Sequence, residues 1–224
     1  MRRAGPPQAS TAPSGGSALH EVNSVGATEN CAGPPQASTA PSGGRALHAV
    51  SERGGVIPCG AELASLPEGV RRVAEVLQQS GHPHAPVMLA DAVRTAQQAA
   101  DALGIAPGQI AKSIIFRRQS DDAAVLVITS GDRRVDEKKV DALIGATGRA
   151  DAAFVKARTG FSIGGVSPVA HAQPPVTLID RELFRFDEIW AAAGHPQGVF
   201  KLRPQDLERL TGAPVADVVE QAAS

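Results

Sequence analysis

The spacing of apolar residues separates an N-terminal stretch with little pattern from a remainder with clear helical and strand periods. The first periodic segment follows Ser65–Glu68, which reads as a helix-capping box with an early proline. Gly81 ends this predicted helix, whose apolar residues recur at helical spacing at Val70, Val73, Ala74 and Leu77. A second helix is predicted over about 91–103, with Gly104 at its C-terminal end.

The rest of the chain mixes short apolar runs with helical segments. The runs predict strands at Ile110–Arg117, Ala124–Thr129, Ala152–Val155, Val176–Ile179, Phe186–Ala193 and Val199–Leu202. Helices are predicted at Asp136–Ile144, with Val140, Leu143 and Ile144 inward, and at Pro204–Leu210, which Gly212 ends. Because strands and helices do not alternate strictly, the pattern predicts a single α+β domain with a mixed sheet.

The N-terminal stretch contains an internal repeat. Ala4–His20 and Ala32–His48 differ only at Ser17 and Arg45, and the period is 28 residues. A solenoid can have such a period, but these two units are rich in Pro, Gly, Ser and Thr and hold few large apolar residues. We therefore predict a disordered tail over residues 1–60 and an ordered domain over residues 61–224.

Composition argues against several classes of protein. The formal net charge of −1 disfavours a nonspecific nucleic-acid binder but is compatible with a local basic site for one RNA end. No apolar run reaches membrane-spanning length and no signal peptide is recognisable, so we expect a cytoplasmic protein with no membrane partner. Cys31 and Cys59 form no CxxC pair, and no zinc-ligand spacing is present, so neither a metal nor another cofactor is expected.

Lys112 is the first candidate for chemistry. On its predicted strand it shares a face with Ile114 and Phe116, while Ser113 points to the other face. A lysine in an apolar row either extends its ammonium group past the strand end or directs a cation at a phosphate or a developing oxyanion.

The second candidate is a glycine-rich loop, predicted over Arg158–His171. Gly160, Gly164 and Gly165 fall within six residues of the stretch TGFSIGGVSP. Glycines at this density let the backbone approach a ligand and direct N–H groups at it. An ordinary long loop that uses glycine for positive φ is the alternative.

The same loop contains a formal G-x-S-x-G around Ser162, and Asp180 or Asp187 and then His195 follow in the order of a serine hydrolase. A nucleophile elbow needs a helix directly after the serine, and Gly165 and Pro168 disfavour one. We treat this match as coincidental and keep a serine hydrolase as the alternative function. A non-catalytic module that binds tRNA or a synthetase is the second alternative.

Taken together, the motifs resemble those of the YbaK/ProX family, free-standing relatives of the editing domain of bacterial prolyl-tRNA synthetase. The resemblance runs from about Ala64 to Val219, and five motifs carry it in order: IAKSIIF, SGDRRVD, TGFSIGGVSP, FDEIWAAAG and VFKLRPQDL. It implies a curved mixed β-sheet flanked by helices and hydrolysis of mischarged tRNA. No synthetase body accompanies the domain in this sequence, so action in trans is expected.

The resemblance also implies roles for individual residues. Lys112 corresponds to the family's essential lysine, which engages the 3′-terminal adenosine, and Gly164 and Gly165 correspond to the backbone that holds the ester carbonyl. Pro168 closes the loop, and His171 stands where one branch of the family has histidine. Ser113 and Gly160 are the further substrate-binding candidates, and a side chain at Gly165 is expected to block the ester while leaving the fold largely intact.

The implied partners are mischarged tRNA and, as a further candidate, an aminoacyl-tRNA synthetase. The pairs Arg133-Arg134 and Lys138-Lys139 are either a solvated surface or contacts for tRNA phosphates. An aminoacyl ester is already activated, so one positioned water and backbone N–H donors could suffice without a nucleophile or a metal. The substrate itself could assist the proton transfer.

Overall fold

The computed structural model describes residues 60–221, with the exception of 91, 92 and 94. In this part of the chain one mixed sheet of eight strands is flanked by helices, which confirms the predicted α+β class. The predicted tail, residues 1–60, lies outside the described residues except for Gly60, where the first helix begins.

The described elements follow one another as short helices and strands. The helices are α1 Gly60–Ser65, α2 Glu68–Gln79, α3 Ala96–Leu103, α4 Glu137–Ile144, α5 Ala152–Thr159 and α6 Pro204–Thr211. The strands are β1 Val87–Met88, β2 Ile110–Arg118, β3 Ala124–Ser130, β4 Thr147–Arg149, β5 Val176–Asp180, β6 Ile189–Ala192, β7 Gly198–Leu202 and β8 Val215–Ala216. Two 3-10 turns, Pro107–Gln109 and Arg181–Arg185, precede β2 and follow β5.

The strand order across the sheet is β1-β7-β6-β2-β3-β5-β8, and β4 lies beside the far end of β2. The centre is the antiparallel pair β2–β3, in which Lys112 lies opposite Thr129. On its other edge β2 pairs with β6 only at Ile110 and Ala111, and β4 joins only from Phe116 onward. Between those points, no strand of the described chain covers this edge of β2.

The two faces of the sheet bury separate apolar clusters. One face packs against α2, α5 and the glycine-rich loop, where Val73, Leu77, Phe161 and Phe200 are almost fully buried. The other face packs against α3 at one end and α4 at the other, through Ala100 and Val140 among other residues. Lys112 lies on this second face between Ile110 and Ile114, one from each of its two clusters.

Several sequence predictions are corrected by the structure. The N-cap residue of α2 is Pro67, which supplies no side-chain cap, and not the predicted Ser65, which is the last residue of α1. The predicted strand Ala152–Val155 belongs to helix α5, because the Asp151 carboxylate accepts the Phe154 N–H at 2.8 Å and starts a helix there. Leu143 is 54% exposed rather than inward, because α4 turns Val140 and Ile144 toward the sheet and Leu143 away from it.

Other predicted boundaries shift. Helix α3 begins at Ala96, with the Thr95 hydroxyl accepting the Gln98 N–H, so it is shorter than the predicted 91–103. The glycine-rich loop begins at Gly160 because Arg158 and Thr159 are still helical. Strand β6 begins only at Ile189, although the predicted pairing of β6 with β7 across the Gly194–Gly198 turn is confirmed.

Candidate active site

A cavity of about 230 Å³, open to solvent, lies at the uncovered edge of β2. Its walls come from the middle of β2, the glycine-rich loop, α3 and the β6–β7 pair. The lining residues include Ala96, Ala99, Ile110, Lys112, Ser113, Gly164, Val166, Trp190, Pro196 and Val199. The structure thus brings three of the sequence-predicted site residues, Lys112, Ser113 and Gly164, to one cavity.

Lys112 is half-buried and its ammonium group is held in place. Its Nζ donates a hydrogen bond to the Arg133 carbonyl, in the turn that follows β3. Burial lowers the pKa of Lys112, the charge of Arg134 adds to that effect, and the carboxylates of Asp132 and Asp180 oppose it. This lysine is therefore a cation whose charge depends on its neighbours.

Ser113 faces the opposite side of β2, and its hydroxyl oxygen is buried without a hydrogen-bond partner among the described residues. The main-chain N–H and C=O of Ser113 point to the uncovered edge of β2. The Gln119 N–H donates to the Ala146 carbonyl on the edge of β2 where β4 pairs. Every second residue of a strand directs its main-chain groups to the same edge, and Ser113 lies six residues before Gln119, so it faces this edge where no strand covers it. Main-chain groups of β2 are thus directed at the cavity.

Gly164 and Gly165 differ in what they contribute. Gly164 lines the cavity with φ at +89°, where a Cβ would meet open space. Its N–H donates to no acceptor in the described part of the chain. Gly165 is buried, and its N–H donates to the Ser162 carbonyl at 3.0 Å, so this amide is already occupied.

The other predicted residues of the glycine-rich loop contribute to its packing. Gly160 ends α5 with φ at +76°, and the Arg72 guanidinium lies against it. Pro168 is buried, and neither it nor His171 lines the cavity. The His171 ring packs edge-on against Phe161, with ring centroids 5.9 Å apart. Burial lowers the pKa of His171 to about 4, partly offset by the Ser167 main chain and reinforced by Arg72.

The features of a serine hydrolase are not assembled around Ser162. Ser162 follows helix α5 rather than a strand, and it is exposed in a turn. The His195 Nδ1 accepts the Gln197 N–H at 3.1 Å, where a triad histidine would donate to a carboxylate. Asp180 is fully buried and accepts a hydrogen bond from the Thr129 hydroxyl at 3.1 Å.

Sequence reasoning missed most of the apolar cavity wall. Trp190 belongs to a buried apolar cluster, and it also lines the cavity with Val199 from the paired strand and Ala99 from α3. The available signal was the run of small residues on one face of α3, which leaves room between that helix and the sheet. The main chain of His195 and Pro196, in the β6–β7 turn, packs directly against Gly165.

Two general findings bear on the class of site. Within residues 60–221, apart from the three positions not described, no cluster of three or more His, Cys, Asp or Glu side chains could hold a metal ion. None of the described helices is long and apolar enough to cross a membrane.

The cavity, the lysine and the glycine loop belong to a known type of domain. Residues 90–210 match the family of aminoacyl-tRNA editing domains, and the chain belongs to that family. The resemblance to the YbaK/ProX proteins is thereby confirmed, and the chain is a hydrolase that acts on the aminoacyl-tRNA ester bond.

Individual relatives agree with this assignment. The uncharacterized protein YwhH of Bacillus subtilis (strain 168) is 33% identical over 118 residues, which cover 52% of this chain and 74% of YwhH. A crystal structure of a protein proposed to be a trans-editing enzyme for prolyl-tRNA synthetase is 40% identical, with a TM-score of 0.66, and it covers 70% of this chain and 100% of that one. The proline–tRNA ligase of Thermoanaerobacter sp. (strain X514) is 30% identical over 95 residues, 41% of this chain but 16% of the ligase.

Proposed function

We propose that this domain acts in trans on mischarged tRNA and cleaves the aminoacyl ester in the cavity at the uncovered edge of β2. The observation that carries the proposal is the convergence of Lys112 and Ser113, from β2, and Gly164, from the glycine-rich loop, on one cavity. A cation, a strand edge with main-chain groups and a glycine loop are the groups that a polar RNA end with an ester requires.

Lys112 supplies the positive charge for the 3′ end of the tRNA. Its ammonium group sits where β2 meets the cavity, and its bond to the Arg133 carbonyl can be exchanged for a phosphate oxygen. An RNA terminus carries negative charge close to the ester, so one well-placed cation fixes the reacting carbon as well as the chain end.

The Gly164 amide is the donor we assign to the developing oxyanion. It belongs to a cavity-lining residue and has no acceptor in the described part of the chain. The Gly165 amide is engaged with Ser162, so Gly165 acts by shaping the loop. Water can attack an already activated ester directly, and the step then needs only orientation and charge stabilisation.

The remaining walls select the amino acid. Trp190, Val199, Ala96 and Ala99 present apolar surface to the cavity, and none of them carries a charge for an acidic or basic side chain. We therefore assign small apolar aminoacyl groups as the preferred substrates. The kinship with prolyl-tRNA synthetases makes the proline tRNA the first carrier to test.

A deacylation assay tests the proposal directly. The proline tRNA is charged in turn with alanine, valine, aspartate, lysine and proline, and each ester is mixed with excess protein in a single turnover. We expect rapid release of the apolar mischarged amino acids, slow release of aspartate and lysine, and little loss of the cognate proline. Rates equal to uncatalysed hydrolysis for every ester would refute the proposal.

A further inference from the structure

A row of polar side chains crosses the face of the sheet that Lys112 occupies. Lys112 lies directly opposite Thr129 in the β2–β3 pair. Ile128 pairs with Ile179 in the parallel β3–β5 pair, so the next residues, Thr129 and Asp180, are neighbours as well. The Thr129 hydroxyl donates to Asp180 Oδ2 at 3.1 Å, which places both side chains on this same face.

This row lies in an otherwise apolar environment. Thr129 and Asp180 are each 0% exposed, and the same face buries Val125, Val127 and Leu178 one step along the strands. A fully buried carboxylate is costly unless charge or hydrogen bonds compensate it. Yet Asp180 Oδ1 has no hydrogen-bond donor within the described chain. Such an arrangement needs an explanation beyond packing.

The charged groups near the row show that Asp180 acts on Lys112. Three charges shift the Lys112 pKa: Asp132 and Arg134 in the turn after β3, and Asp180 at the end of β5. Asp132 is tied to Arg185 by an ion pair at the surface, where solvent and salt screen it. Asp180 is shielded from solvent, so its field reaches the ammonium group with less screening. Burial raises the pKa of Asp180, with smaller contributions from the Glu182 and Asp217 carboxylates, and hydrogen bonds from the Glu182 main chain and the Thr129 hydroxyl oppose that rise.

We propose that Asp180, held by Thr129, is a positioning residue that keeps the Lys112 ammonium charged and in place at the cavity. It does not touch the substrate, because no part of Asp180 is exposed. Burial lowers the pKa of Lys112, and the negative charge of the buried carboxylate opposes that shift. The inference rests on the proposed function in one respect, namely that Lys112 must carry a charge for the reaction.

The isosteric substitution Asp180→Asn tests the link, with Asp121→Asn as its control. Asp121 is an exposed carboxylate on the β2–β3 turn, paired with Arg118, and it is not among the charges that act on Lys112 or Asp180. Lys112 is one of five lysines, so its side-chain titration can be followed by NMR on lysine-labelled protein and assigned with Lys112→Arg. The charges stand two strand spacings apart, about 10 Å, so at an effective dielectric of ~20 we expect the Lys112 pKa to fall by about one unit.

Deacylation should follow the same charge. The single-turnover rate is corrected for uncatalysed ester hydrolysis. As the pH rises, this rate is expected to fall about one pH unit lower in Asp180→Asn than in the wild type, with little change on the acid side. A merely structural role would lower the melting temperature without moving this fall in rate. An unmoved Lys112 titration in folded Asp180→Asn protein would overturn the proposal.

Two further outcomes are separable. If Asp180→Asn fails to fold, Asp180→Ser is measured instead: it also removes the carboxylate and must also lower the Lys112 pKa, or the proposal fails. If the Lys112 pKa falls in either variant while Lys112→Ala protein keeps its activity, the coupling between Asp180 and Lys112 stands. In that case it is the catalytic role given to Lys112 under the proposed function that is lost.

Discussion

The Cα of Gly165 lies against the main chain of His195. A Cβ added to Gly165 would stand 2.7 Å from the His195 carbonyl carbon and 2.9 Å from its Cα. Both neighbours are backbone atoms, so no change of rotamer can make room. This contact fixes the glycine-rich loop to the β6–β7 turn, beside the cavity that Gly164 and Pro196 line.

Gly165→Ala should therefore destabilise the domain. Overpacking against backbone costs about 1–3 kcal/mol, and a displaced loop should slow deacylation as well. The expectation that valine at this position blocks the ester without harming the fold is wrong for the same reason. Gly148→Ala is the control, because the nearest heavy atom to its added Cβ is 3.7 Å away. Thermal melts compare the two, and an equally stable Gly165→Ala variant would contradict the contact.

Arg72 is expected to hold the loop from the α2 side. Its guanidinium carbon lies 4.6 Å from the centroid of the Phe161 ring, and its Nη2 donates to the Thr159 carbonyl at 3.5 Å. Arg72→Leu should lose about 0.5–2 kcal/mol of unfolding free energy and slow single-turnover deacylation. Arg71→Leu, turned about 100° away on the same helix, is the matched control. Equal losses in the two variants would remove the loop-holding role.

His171 makes the stability of the domain depend on pH. Its pKa is about 4 in the folded state, mainly because of burial, against an ordinary value of 6.5. Between these values the unfolded chain binds the proton more readily, so the unfolding free energy should be highest above pH 6.5 and fall as the pH drops toward 4. The loss is at most about 3 kcal/mol.

Denaturant melts across that pH range test the histidine. His171→Leu should show a flatter dependence between pH 6.5 and 4, whatever its absolute stability. If the slope of the wild type persists in the variant, another group is responsible for the loss.

The central strands and the hairpin were predictable because long apolar runs there meet clear turn residues. β2, β3 and β7 have nearly the predicted bounds. Strands β4 and β8 span three and two residues, and only their pairing with β2 and β5 defines them. The run at Ala152–Val155 was ambiguous, since a short apolar segment fits a strand or a helix and the Asp151 cap decided for the helix.

The chemical residues of the cavity were easier to predict than its shape. Lys112 stands out as a charge in an apolar row, and Gly164 as part of a glycine cluster. The uncovered edge of β2 exists because β6 pairs only at its start and β4 only at its end, and the neighbours of Lys112 are set by the register of the β2–β3 pair. Both properties depend on segments far apart in the sequence. From the sequence alone, Asp180 was therefore recognisable only as a candidate for a catalytic triad.

Ser113 offers a test of the cavity that does not depend on charge. Its hydroxyl is buried and unpaired, so Ser113→Ala should leave stability unchanged or raise it slightly. Thermal melts measure this, with Ser120→Ala on the exposed β2–β3 turn as a neutral reference. A stable Ser113→Ala variant with slower deacylation would show that this side chain shapes the cavity edge of β2. A marked drop in melting temperature would mean that the hydroxyl is satisfied in the folded protein.

Substitutions at Lys112 and Ser162 distinguish two mechanisms, hydrolysis of the ester by a positioned water and hydrolysis through an acyl-enzyme. Lys112→Ala removes the cation at the cavity and should cost about 10²–10³ in single-turnover rate, by analogy with the loss of one oxyanion donor. Ser162 is exposed in a turn that no strand precedes, so Ser162→Ala should change the rate little. Arg209→Ala, at an exposed position on α6, controls for the loss of one positive charge. Each variant is measured on mischarged proline tRNA after circular dichroism confirms its fold.

In a serine hydrolase the order reverses, because removing the nucleophile abolishes the covalent intermediate. Near wild-type activity in folded Lys112→Ala protein would withdraw the role of this lysine, and an inactive, folded Ser162→Ala variant would establish the serine mechanism instead.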